Sequence, residues 1–94
     1  MSNLRRLKKE IDYTLKEFVF DCDMAICYQP SKGDEIFALM QESVELCNSL
    51  YKKANNPAEP HNKHLVKRHY AALRAEIVGE FASLFERLSS SIEL

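Results

Sequence analysis

Apolar residues recur every three or four positions through almost the whole chain, and the recurrence breaks in only two places. The breaks are Gln29-Pro30-Ser31-Lys32-Gly33-Asp34 and Asn55-Asn56-Pro57-Ala58-Glu59-Pro60-His61-Asn62, and together they hold all three prolines. Proline lacks an amide donor and its ring clashes with the preceding helical turn, so the breaks divide the chain into three helical runs. The first run spans about Asn3 to Tyr28, with a stripe of Leu4, Leu7, Ile11, Leu15, Phe18, Cys22 and Ala25. It ends where Gln29, preceding a proline, is biased out of the helical region.

The second run spans about Asp34 to Asn55 and carries a broad stripe of Ile36, Leu39, Met40, Ser43, Leu46, Cys47, Leu50 and Ala54. Phe37, Val44 and Tyr51 flank it at heptad spacing. Asp34 or Ser31 is expected to cap its start, and Asn55 to end it in a left-handed conformation. The third run, about Lys63 to Ile92, has Asn62 as its expected cap and a stripe of Val66, Tyr70, Leu73, Ile77, Phe81, Leu84, Leu88 and Ile92. Ala71, Ala75, Val78, Ala82 and Phe85 form a second, mostly small row on one flank, and Ser89-Ser90-Ser91 predicts fraying near the end. No run alternates strictly enough to be a strand. Three helices joined by short connections predict an all-α fold, an antiparallel up-down-up three-helix bundle occupying residues 1–94 as one domain.

Composition narrows the class. Hydrophobic residues are 46% and charged residues 29% of the 94, too apolar for a disordered chain. No apolar run approaches the roughly 20 residues that span a bilayer, so no membrane partner is expected. The segment Met1 to Lys9 lacks the apolar core of a secretory signal, which predicts a cytoplasmic protein. Three cysteines, Cys22, Cys27 and Cys47, are an odd number without a pairing motif, which argues against a disulfide framework.

The net charge of −1 conceals a separation. Up-down-up topology gathers residues 1–16 and 49–74 at one end, where eleven basic residues meet three acidic ones. The remaining residues hold two basic and eleven acidic side chains. Arg5, Arg6, Lys9, Lys52, Lys53, Lys63, Lys67 and Arg68 are therefore candidates for binding an anion, and His61, His64 and His69 lie at the same end. Basic residues at the starts of the first and third helices oppose the helix dipole, so the separation is not a device for stability.

A second candidate surface comes from helical projection. Tyr13, Phe20, Met24 and Cys27 leave the first helix on the side opposite its core stripe, with spacings of seven, four and three. Aligned apolar side chains of this kind mark an interface, and Ala71, Ala75, Val78 and Ala82 would permit close helix approach beside it.

Catalytic and metal motifs are missing. Only two glycines, Gly33 and Gly79, are present, so there is no phosphate loop, and no nucleophile elbow or zinc-protease helix occurs. The histidines are expected to be exposed and not to ligate a metal, and Glu42/Glu45 and Glu76/Glu80 to be solvated surface charge. No cofactor is expected. The sequence thus predicts a non-enzymatic helical interaction module that pairs with itself, as a homodimer, or docks a protein partner. Nucleic acid on the basic end is the alternative.

Overall fold

A computed structural model describes residues 2–57 and 59–92; Met1, Ala58, Glu93, Leu94 and the side chains of Ser2 and Asn3 lie outside the description. Three long helices, α1 (Ser2–Tyr28), α2 (Gly33–Asn55) and α3 (Lys63–Ser91), make up the fold, and no strand occurs among the described residues. Polar pairs fix their order and direction. Tyr51 of α2 donates to Asp12 of α1, and Arg74 of α3 lies 3.8 Å from Glu10 of α1, so all three meet at one height. Lys53–Glu76, Glu42–Arg87 and Glu35–Ser91 then run α2 and α3 past each other in opposite directions. Up-down-up is the observed topology.

The predicted stripes form the core. Leu7, Ile11, Phe18, Cys22 and Ala25 of α1 pack with Ile36, Leu39, Cys47, Leu50 and Ala54 of α2 and with Tyr70, Leu73, Ile77, Phe81, Leu84 and Leu88 of α3. Phe18 sits at the centre, edge-on to Phe81 and Phe85 at ring-centroid distances of 6.4 and 5.1 Å. Phe85, which projection places in the small-residue row, is therefore drawn half-buried against the core. Ser43 is the one buried polar side chain among the described residues, and its hydroxyl donates to the Met40 carbonyl oxygen at 2.6 Å. That bond satisfies the hydroxyl within its own helix, so a serine inside an apolar stripe leaves no orphaned donor.

The helix ends depart from expectation in three places. A single 3₁₀ turn (Pro30–Lys32) runs directly into α2, so neither Ser31 nor Asp34 caps it; Lys32 holds the cap position, and its side chain does not cap the helix. Proline fixes the backbone dihedral that begins a helical turn, and the tighter turn supplies the missing backbone pairing. Asn55 remains helical, and Asn56 closes α2 with φ −129°, its side-chain amide donating to the Lys52 carbonyl at 2.8 Å. Side-chain bonding to the last turn thus replaces the left-handed cap. At the C-terminal end the serine run does not break the helix: Ser91 donates to the Arg87 carbonyl at 2.9 Å and α3 continues through it. The expected cap of α3 is present, with the Asn62 side chain accepting from the amides of His64 and Leu65.

The result is a thin rod of 51 × 17 × 16 Å. Its radius of gyration is 15.4 Å, against roughly 12 Å for a compact domain of this length.

Candidate functional site

The three long sides of the rod differ in chemistry. The side between α2 and α3 is crossed by polar links. Arg87 holds Glu42 through two bonds of 2.9 and 2.7 Å, Lys53 meets Glu76 at 2.8 Å, and the His69 ring pairs with the Lys53 carbonyl at 2.7 Å. The guanidinium holds the Glu42 carboxyl below its ordinary value, and Glu42 in turn raises Arg87. Glu42 and Glu76, which the spacing rule assigns to solvated surface, each therefore take a partner from the neighbouring helix.

Half of the exposed large apolar side chains among the described residues lie on α1. Tyr13 is 68% exposed, Phe20 62% and Met24 51%, and Tyr28 and Cys27 are exposed beyond them. They lie outward because the core stripe of α1 takes the opposite half of the helix. Two shallow grooves border them. Val19 of α1 with Phe37, Met40 and Val44 of α2 lines one, and Met24 and Tyr28 of α1 with Phe85, Leu88 and Ile92 of α3 line the other. Phe37 and Val44 are 54% and 47% exposed and extend the apolar surface onto α2. Sequence projection did not assign them to the surface; their heptad spacing outside the α2 stripe was the available signal.

Ala71, Ala75, Val78 and Ala82 are exposed on α3, with Val78 71% accessible. The Arg74–Glu10 and Phe81–Phe18 pairs set the register between the parallel helices α1 and α3, and this brings Val78 to the height of Thr14 and Leu15.

The basic residues collect at one pole as the topology requires. Arg5, Arg6, Lys9, Lys52, Lys63, Lys67 and Arg68 are exposed and form no ion pair among the described residues. Lys53 differs, since its ammonium is engaged by Glu76. At the opposite pole Asp21, Asp23, Asp34, Glu35, Glu45, Glu80 and Glu86 are exposed, and Glu93 of the acidic count lies outside the described residues.

Reactive chemistry is sparse. Cys22 and Cys47 are buried, and burial first, with nearby aspartates second, pushes each thiol up to about 11, away from the nucleophilic thiolate. Cys27 is the exposed thiol. Among the described residues no three His, Cys, Asp or Glu side chains converge on a metal position, and no helix is long and apolar enough to cross a membrane. No family model, curated protein or solved structure matches the chain.

Proposed function

We propose that this protein is a helical interaction module without enzymatic activity, and that its outward α1 face, with the adjoining α2 flank, pairs with a second copy of the chain. One observation carries the reading: Tyr13, Phe20, Met24, Tyr28, Phe37 and Val44 are all about half exposed or more on and beside one helix, while the α2–α3 side is bridged by ion pairs. Surface area supports it. The monomer exposes 6569 Å², against roughly 5,600 Å² for a compact monomer of this mass. The excess of roughly 1,000 Å² compares with the roughly 800 Å² that each partner buries in a standard interface.

Sedimentation tests the reading. The wild-type chain is expected to sediment as a dimer at high micromolar concentration, and Phe20→Glu as a folded monomer with unchanged helix content. A wild-type monomer under those conditions would sink it. A second reading, a polyanion bound at the basic pole, is favoured by the exposed cations there that make no ion pair among the described residues. It predicts an elevated ultraviolet absorbance ratio on purification and heparin retention that falls steeply with salt. Retention indifferent to salt excludes it.

A further inference from the structure

The self-association proposed above leaves the relative direction of the two copies open, and the charge separation supplies it. We infer that the copies lie side by side and antiparallel, with a two-fold axis crossing α1 between Lys16 and Glu17.

Three observations converge on that geometry. The first is charge. Along α1 residues 5–16 carry Arg5, Arg6, Lys8, Lys9 and Lys16 against Glu10 and Asp12, whereas residues 17–28 carry Glu17, Asp21 and Asp23 and no basic residue. The same division holds for the whole rod, because Lys52, Lys63, Lys67 and Arg68 share the pole of Arg5. Parallel pairing would set the two basic poles against each other and the two acidic poles likewise, whereas antiparallel pairing sets each against its opposite.

The second is area. An end-to-end contact would also join opposite poles, but the end of the rod measures 17 × 16 Å, a footprint of roughly 270 Å², far below the roughly 800 Å² per partner of a stable interface. A long side of 51 × 17 Å offers roughly 870 Å². Only lateral pairing meets both requirements.

The third is register. The boundary between the net-basic and the acidic half of α1, between Lys16 and Glu17, falls midway between Tyr13 and Phe20, the two aromatic side chains of the stripe. An axis at that point sets Tyr13 of each copy against the partner's Phe20 and runs residues 5–16 along the partner's residues 17–28. One placement thus serves the apolar stripe and sets the net-basic first half of α1 along the partner's acidic second half. A closed two-fold contact of this kind ends at two copies and does not propagate into a filament.

Cys27 makes the inference measurable in the natural chain, because it is exposed while Cys22 and Cys47 are buried. A nitroxide attached to Cys27 lies about 16 Å along α1 from the proposed axis at 1.5 Å per residue. Pulsed dipolar spectroscopy on the labelled dimer is expected to give an intermolecular distance of about 30–40 Å, where parallel pairing brings the labels to within about 20 Å. An unlabelled control avoids any disturbance from the nitroxide: zero-length carbodiimide coupling of mixed light and heavy-isotope chains, read by mass spectrometry. It is expected to join lysines of residues 5–16 to carboxylates of residues 17–28 on the other copy. A dimer with the short distance and without those crosslinks overturns the antiparallel arrangement and leaves self-association standing. A monomer with no dipolar coupling and no intermolecular crosslink removes both.

Discussion

Phe18→Ala is expected to cost about 3–5 kcal/mol of folding stability, the range for truncating a fully buried phenylalanine. Phe18 is 0% exposed and contacts both Phe81 and Phe85 edge-on, so truncation opens a cavity and removes two aromatic pairs at once. A domain of this size has a total stability of about 5–15 kcal/mol, and each kilocalorie shifts its melting point by about 4–8 °C. The variant should therefore melt about 12–40 °C below the wild type, and it can be largely unfolded at 37 °C. Collapse of the surrounding side chains into the vacated space is limited, because the rod has a single layer of core between three helices. The companion Phe20→Ala, two residues along, removes the same side chain from the opposite face of α1, where Phe20 is 62% exposed. Its cost to the isolated monomer is expected to stay within about 0.5 kcal/mol, as for other surface substitutions. What it should remove is the dependence of the melting point on protein concentration that dimer formation imposes. Thermal melts of both variants across a hundredfold range of concentration check the pair. Equal destabilisation by the two substitutions at low concentration would mean that the assignment of inward and outward faces on α1 is wrong.

The contrast between Phe18 and Phe20 shows how much of this molecule can be read from residue order. Burial of long amphipathic helices follows angle, and angle follows position, so the three stripes from Leu7 to Leu88 appear in the core as spacing assigns them. Short loops then leave one topology open, and the two charged poles follow from it. Helix ends are less legible, because they depend on which of several local hydrogen bonds forms. Pro30 could precede either a free cap or a 3₁₀ turn, and the turn is what the chain adopts. The cross-helix pairs were also beyond reach. Nothing in the spacing of Glu42 within α2 indicates that Arg87, forty-five positions on, reaches it, since this requires the relative rotation and height of two helices. The same limit explains why Phe37 and Val44 were not assigned to the candidate surface. Their angle on α2 was legible, but their adjacency to Val19 on α1 depends on how the two helices turn against each other. Phe85, on the flank of the α3 stripe, shows the related point that a residue at the margin of a stripe is turned inward or outward by its neighbour, here Phe18.

Alkaline pH is expected to destabilise the fold between pH 9 and pH 11, and the buried thiols set that window. Cys22 and Cys47 are 0% and 2% exposed, and burial raises each from the ordinary 9.0 to about 11, with Asp23 and Asp21 adding to the effect at Cys22 and Asp12 at Cys47. A group whose folded value lies above its unfolded value contributes stability that is fully present below the unfolded value and is lost as pH rises through the folded one. Above pH 9 the unfolded chain releases these two protons while the folded chain retains them, so the equilibrium moves toward unfolding until both states have lost them near pH 11. Each unit of difference corresponds to about 1.36 kcal/mol, but the rod is only 17 Å thick, so water lies close to both sulfurs and screens the charge. The combined loss is expected to be about 2–4 kcal/mol, a large fraction of the stability of a small domain. Tyr51, raised from 10.0 to about 12 by burial first and by its hydrogen bond to Asp12 second, adds a smaller fall above pH 10. Urea titrations at pH 8, 9, 10 and 11 at fixed protein concentration measure the slope. A Cys22→Ala, Cys47→Ala double variant, less stable at pH 8 because of the lost sulfur packing, should show little further loss between pH 9 and pH 10, with the remaining decline at higher pH belonging to Tyr51. An unchanged slope in the double variant would show that the alkaline weakness comes from other groups, and would place the two thiols in contact with water in the folded state.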